Sequence, residues 1–448
     1  MASISTALQR IKEDPTAAIG ESVVETVCTE LGLEWRDTPL KPPVTIALLA
    51  RQVLAGNVSN PETLRLGGLQ MTPPAYCTAK GRLPVEAIEQ INRRVCQAVE
   101  GVADGQDPYL WKGHRTWTMD GSSYSMPDTP ELQKYFGQPG GQKPGCGFPV
   151  GRMLCLFSAS TGLVRDVAVS PLRTHDLTMT PQIHQNLRAG DVVIGDTAFG
   201  SYFHIALLQQ RGVLGVFPSH QKRIVNFRPH RAHSHRRSRQ RRKGEPTSRW
   251  IAKLGKDDQL VEYSKPTERP GWMTPQQYDV IPAVMTVREI RRTITRPGFR
   301  PLRVLIVTML LDPEGYPADE IVELLKQRWT IETNLRHLKT TMKMEVLRCQ
   351  SVPGVLKELW MFMLIYNLVR VIMMEAAQRQ KVPLDRISFA DALYWMRHAA
   401  PGEHLPDLIV NPERPDRVEP RAVKRRPKPY ARLTKPRSTM RKALKNQR

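Results

Sequence analysis

The spacing of apolar residues changes several times along this chain, and each change predicts a different element. From Pro317 to Lys343 apolar positions recur at three and four, at Ile321, Leu324, Leu325, Trp329, Leu335 and Leu338. With Pro317 suited to a first turn, the pattern predicts one long amphipathic helix. Directly ahead of it RVLIVTMLL, Arg303–Leu311, reads as a buried strand. Behind it KELWMFMLIYNLVRVIMMEAAQRQ predicts a strongly apolar helix. Its richest run, Leu359–Met374, is short and interrupted by Asn367 and Arg370, which makes it core and not a membrane span.

Residues 1–103 carry helical signals only. Thr45–Ala55 is apolar and closes at Gly56, Ser59 and Glu62 form a capping box, and Thr72 with Pro73 and Pro74 starts a helix through Lys80. Val85, Ile88, Ile91, Val95 and Val99 then make a regular helical stripe. Short helices with tight turns suit a DNA-binding domain, with Lys80, Arg82, Arg93 and Arg94 as contacts, and suit a plain helical bundle as well.

After Asp104 alternation takes over. Arg115–Met126 alternates like a strand and carries Asp120 near its end, just before a Gly-Ser turn. Tyr135–Pro149 is a Gly- and Pro-rich loop, and the segment after it reads as a hairpin turning at Thr161-Gly162. Val192–Ile194 is a short buried strand ended by Gly195-Asp196, and Tyr202–Gln210 is a helix closed by Gly212. From Ser219 to Arg300 two strand-like stretches flank a Pro-rich loop, after the densest internal basic run, SHQKRIVNFRPHRAHSHRRSRQRRKGEP.

Composition narrows the function. A chain of 448 residues with 40% hydrophobic content can bury a sizeable core, but its formal charge of +23 asks for a polyanionic partner. Nucleic acid fits better than a membrane surface, because the start, MASISTALQRIKEDP, lacks the apolar core of a secretory signal. Cysteines 28, 77, 96, 146, 155 and 349 form no CxxC pair and no metal spacing with histidine, which argues for a reducing cytosol. A cytoplasmic, nucleoid-associated protein is expected, without a membrane. The last segment, rich in Pro, Lys and Arg, predicts a disordered basic tail whose affinity for phosphates falls with salt.

Candidate chemistry lies in three carboxylates. On the predicted long helix Arg328, Glu332 and Lys339 fall within about 60° of one another. A solvated i,i+4 ion pair explains such a stripe, and so does a carboxylate that the preceding strand aims at a sheet edge. Asp196 sits at the carboxyl end of a strand, where open α/β sheets place their chemistry. If the three strands are neighbours, Asp120, Asp196 and Glu332 converge, and such a cluster needs cations to fill it. Carboxylates without Cys or His select Mg²⁺ or Mn²⁺, and two such ions about 3.5–4 Å apart serve nuclease or strand-transfer chemistry.

MDGSSYSMPDTPE around Asp120, VIGDTAFGSY around Asp196 and QRWTIETNLRHLK around Glu332 resemble the three acidic motifs of the DDE insertion-sequence transposases. The match is to the IS-four family, the group with a Y-R-E-K signature. It covers roughly residues 45–375; Arg328, Glu332 and Lys339 take three signature positions, while Leu325 stands where the family has its tyrosine. The resemblance implies an α/β fold: an RNase H-like catalytic core interrupted by a β-rich insertion, with an N-terminal helical domain. Its parts would be a helical DNA-binding domain at 1–103, core at 104–218 and 301–400, the insertion at 219–300 and a basic disordered tail at 401–448.

By the same resemblance Asp120, Asp196 and Glu332 would hold the metals. Arg328 and Lys339 would contact transposon-end phosphates, as arginine's fork and lysine's mobile charge allow. The insertion would touch DNA near the active site, through Lys222, Arg223, Arg236, Arg237 and Trp272. The implied function is a transposase that cleaves insertion-sequence ends by metal-dependent phosphodiester hydrolysis and joins the 3′-hydroxyls to target DNA. Double-stranded DNA, both end and target, is the implied partner, and a homodimer would hold two ends together. An inactive DNA-binding relative and a plain Mg²⁺-dependent nuclease remain alternatives. His230, His233 and His235, crowded by arginines, read as a phosphate-facing loop and not as a metal site. Trp250 and Trp272 either pack on the strand layer or stack on a displaced base.

Overall fold

The computed structural model describes residues 20–103, 109–220, 222–234, 244–295, 300–400, 403–413 and 433–446. It opens with five helices: α1 (Glu21–Glu30), α2 (Pro42–Leu54), α3 (Asn60–Leu66), α4 (Pro73–Arg82) and α5 (Val85–Ala103). Ser59 and Thr72 cap α3 and α4 by accepting from Glu62 N and Ala75 N, a plain N-cap at Ser59 in place of the expected reciprocal box with Glu62.

Among the described residues a single mixed sheet of nine strands follows, in the order β3-β2-β1-β4-β5-β9-β8-β7-β6. Strands β1 (Thr116–Ser125), β2 (Val150–Ser158) and β3 (Val164–Pro171) form an antiparallel meander, with α6 (Pro130–Phe136) between the first two. The turn falls at Thr161-Gly162, where Gly162 has φ +72 and lies against the Arg370 guanidinium, so no side chain would fit. β4 (Val192–Gly195) and β5 (Leu214–Pro218) lie parallel to β1, reached through α7 (Asp176–His184) and α8 (Tyr202–Gln210).

The second strand-rich region is not a separate layer. β6 (Arg249–Gly255), β7 (Asp258–Ser264) and β8 (Val284–Ile294) form a meander, with the short α9 (Pro275–Asp279) before β8. β9 (Leu302–Thr308) pairs with both β8 and β5, so this meander extends the first five strands in one continuous sheet. Arg288, wholly buried, fastens the join: it donates to both oxygens of Asp258 and to the carbonyls of Leu310, Asp312 and Tyr316.

The expected long helix is interrupted. α10 (Ala318–Lys326) and α11 (Arg328–Arg336) meet at Gln327, where hydrogen bonds shorten to the i→i−3 pattern, and α11 runs on into a π-helical turn, His337–Thr341. The two halves serve different cores. Ile321, Leu324 and Leu325 of α10 pack with Val192, Val216 and Ile306, whereas Ile331, Leu335 and Leu338 pack with Tyr124, Met153 and the following long helix.

That helix is α12 (Val352–Gln380), apolar on all sides and almost wholly enclosed, followed by α13 (Phe389–His398). It is long and apolar enough to cross a membrane, yet here it is the spine of the protein's own core. Residues from α1, α2, α5, β1, β2 and α13 join it in one cluster, so the N-terminal helices share a core with the sheet. Polar ties reinforce the union. Asn367 donates to Val164 O and Asn92 Oδ1, and the Lys357 ammonium donates to the carbonyls of Lys80, Gly81 and Leu83 at the end of α4.

Much of the basic tail expected to be disordered, residues 401–402, 414–432 and 447–448, lies outside the described residues, whereas 403–413 and 433–446 pack on the rest of the protein. Leu405 and Leu408 are buried, and Arg437–Lys445 forms a helix, α14, whose first residue pairs with Asp128 (3.1 Å), donates to Cys146 O and covers the Phe148 ring. The half-buried Arg437 contacts and the close approach of Pro436 to Gly145 supply the anchorage that composition does not reveal.

Candidate active site

β1 and β4 run parallel with Met119 opposite Gly195, so the next residue on each strand path is an aspartate. Asp120 is not followed by a turn, as its Gly-Ser neighbours suggested. β1 continues to Ser125, because Gly121–Ser125 keep pairing with β2 opposite Leu154–Val150. Asp196 does end its strand: its carboxylate accepts from Ala198 N (2.8 Å) and caps a short 3₁₀ turn, Thr197–Gly200. The Asp120 carboxylate accepts from Gly121 N (2.8 Å).

Alternation along β1 puts Met119 on the α7 and α8 side and Tyr124 on the α12 side, so Asp120 shares the face of Tyr124, against which α11 packs. Burial pushes the Asp120 carboxyl up to about 6, the charge of Asp196 adds to the rise, and the Gly121 amide and Arg328 oppose it. Two carboxylates and an arginine therefore meet in one electrostatic neighbourhood, where β4 ends beside the middle of β1.

Glu332 stands apart. It is exposed, with its carboxylate 3.9 Å from the Arg328 guanidinium on the preceding turn. Among the described residues no group of three His, Cys, Asp or Glu side chains comes together to hold a metal. Asp120 and Asp196 alone fit a hard divalent cation: their oxygens are the right donors, and a cation would relieve the unfavourable charge at Asp120. Lys339 lies half-exposed in the π turn, which displaces it from the regular stripe with Arg328 and Glu332. Leu325 is buried in the cluster under α10.

The basic insertion residues divide. Lys222 is exposed, whereas Arg223 is half-buried with its guanidinium 3.9 Å from the Tyr263 ring centre. Arg236, Arg237 and His235 lie outside the described residues. Trp272 is partly buried against the second core, and Trp250 meets the His230 ring at 4.3 Å. Of the N-terminal candidates, Arg93 pairs with Glu89, Arg94 with Glu30, and Lys80 bonds Asn60 and Gln52.

Sequence reasoning missed Asp176. On the opposite face of β1, its carboxylate rests against Gly121, where a Cβ would fall 2.6 Å from Oδ2, and Arg152 grips both of its oxygens at 2.7 and 2.9 Å. The only signal was a glycine placed directly after Asp120.

Residues 111–368, more than half of the chain and all of this site, match the family described as "Transposase DDE domain". The chain belongs to the DDE transposase family. This transposase is similar to transposase InsG for insertion sequence element IS4 of Escherichia coli (strain K12), at 26% identity over 382 residues, 80% of this chain and 78% of InsG. It is also similar to the putative transposase InsZ of the same organism, at 23% identity over 142 residues, 31% of this chain and 46% of InsZ. The match to InsG agrees with the IS-four family that the sequence resembles. Among solved structures, the piggyBac transposase synaptic complex with hairpin DNA aligns with this transposase at a TM-score of 0.42 and 12% identity, covering 87% of this chain and 80% of that one.

Proposed function

We propose that the transposase cuts the ends of its insertion sequence by phosphodiester hydrolysis and joins the freed 3′-hydroxyls to target DNA, with Asp120, Asp196 and Glu332 as its acidic triad. The five strands β3-β2-β1-β4-β5 would be the RNase H-like core, and β6–β8 the insertion. The observation that carries this reading is the parallel register Met119–Gly195, which delivers two aspartates to one strand end inside the matched family domain.

Asp120 and Asp196 would hold Mg²⁺ or Mn²⁺, with Glu332 completing the set. When bound, such ions activate the attacking hydroxyl and stabilise the leaving oxygen. The chain's own residues do the positioning. The Gly121 and Ala198 amides fix the two aspartates, and Arg328, beside Asp120, is placed to receive a phosphate oxygen. Glu332 would have to leave Arg328 and turn toward Asp120, and a DNA phosphate taking its place on the guanidinium supplies the reason to move. Lys339 and the exposed Lys222 would add phosphate contacts along the duplex. Two protein copies would hold two ends.

The test uses a labelled duplex bearing the element's own end, Mg²⁺, and wild type or Glu332→Gln. Cutting and joining by wild type, lost in Glu332→Gln while binding persists, supports the proposal. Cutting that survives the substitution removes Glu332 from the site. Binding without any cutting by wild type would make this chain a DNA-binding relative.

A further inference from the structure

A cavity of about 440 Å³ opens between the N-terminal helices and the start of α12, away from the paired aspartates. Lys80, Lys357 and Arg348 line it against a single carboxylate, Glu358. That carboxylate is taken: it accepts from the backbone amides of Arg348 and Cys349 and from Asn57.

Neither lysine has a carboxylate hydrogen-bond partner among the described contacts. Lys357 spends its three N–H groups on the carbonyls of Lys80, Gly81 and Leu83. Lys80 donates to Asn60 Oδ1 (2.8 Å) and Gln52 Oε1 (3.3 Å), both neutral, and so keeps one donor in hand. Burial lowers the proton affinity of both ammonium groups. Buried cations with only neutral partners are costly until an anion joins them. The first turn of α12 is not the attraction, because Val352 N already donates to Glu131 and Gly354 N to Ser351 Oγ.

We propose that this cavity binds a phosphate group, and that in the working protein the phosphate belongs to a DNA strand crossing the seam between the N-terminal helices and α12. A tetrahedral anion at Lys80 would meet its remaining N–H, with the exposed Arg348 closing from the mouth. DNA is favoured as the source because the chain between the candidate active site and the cavity carries Arg336, Lys339, Lys343 and Arg348, all exposed or half-exposed. The source rests on the proposed DNA chemistry, whereas the anion site does not.

The test uses the full chain in two measurements. Inorganic phosphate is titrated against chloride at constant ionic strength while melting is followed, for wild type, Lys80→Met and Arg348→Gln. The expected result is a dose-dependent rise in the melting temperature of wild type that Lys80→Met lacks and Arg348→Gln weakens. In parallel, the slope of log affinity for duplex DNA against log salt should fall by about one in each variant. No phosphate effect on wild type, or the same effect on all three proteins, overturns the site. A phosphate effect confined to wild type with unchanged DNA slopes overturns DNA as the source and leaves free phosphate. Asp120→Asn, which tests the active-site reading, starts from a higher melting temperature and keeps the same phosphate-dependent rise as wild type.

Discussion

Asp120 and Asp196 each stand one residue beyond the pair formed by Met119 of β1 and Gly195 of β4, so parallel pairing alone brings the two carboxylates together. Hydrogen bonds from Gly121 and Ala198 hold both in place before any ligand arrives. The arrangement stores unfavourable charge that a cation or a proton relieves.

A pH dependence follows from that charge. Burial, with Asp196 adding to it, raises the Asp120 carboxyl from its ordinary 3.8 to about 6. The native state therefore holds a proton that the unfolded chain has released, and stability in chelator should fall as pH rises between roughly 4 and 6. Asp120→Asn removes this fall and should be more stable than wild type at pH 7 by on the order of 2 kcal/mol. Urea unfolding at pH 4.5 and 7 checks it, and parallel pH curves for the two proteins would sink the idea.

Gly121→Ala tests the other face of β1. The new methyl would lie 2.6–2.9 Å from the Asp176 carboxylate, which Arg152 holds in place. Relief requires that ion pair or the strand beside Asp120 to shift, costing about 1–3 kcal/mol. Thermal melting should show the loss, and Gly121→Ala combined with Asp176→Ala should recover part of it. No recovery would mean that the clash lies elsewhere.

The Arg288–Asp258 pair ties the β6–β8 meander to the segment that leads into α10. Both oxygens of Asp258 receive the wholly buried guanidinium, at 2.8 and 2.6 Å. Asp258→Ala strands that charge and should cost about 3–5 kcal/mol. Arg288→Met with Asp258→Ala should be far milder than Asp258→Ala alone, read by chemical denaturation. Equal losses from the single and double changes would show that packing, and not charge, is responsible.

Leu325→Tyr would restore the residue type of the family signature. Leu325 is buried among Ile321, Leu324 and Val322, so a ring with a hydroxyl overfills the site and should destabilise by about 1–3 kcal/mol. An unchanged melting temperature would show that α10 has room to present a tyrosine outward.

The periods of hydrophobicity were enough to locate the helices from Thr45 to Val99, the hairpin at Thr161-Gly162, the strand ending at Asp196 and the helix Tyr202–Gln210, because each element's signal is local. The three acidic motifs were legible for the same reason, as short runs with their own flanking residues. Whether the carboxylates meet was not. That depends on β1 pairing with β4 across two intervening strands and two helices, a contact that no local pattern encodes.

Tertiary packing also overruled two local readings. The amphipathic stripe from Ile321 to Leu338 predicts one helix, yet its halves face different cores, and the break at Gln327 and the π turn after Arg336 reconcile them. The charge of the chain announced a polyanionic partner, but not which cations would be free to meet it: Arg93 and Arg94 are paired to carboxylates, Arg223 lies on Tyr263, and Lys80 is half-buried in a cavity whose single carboxylate, Glu358, is hydrogen-bonded elsewhere. Sequence by itself determined the elements, the family motifs and the sign of the partner's charge, since these arise from residues near one another in the chain. Only the folded structure decided which side chains share a site, because their spacing is set by strand order and by competition for burial between distant segments.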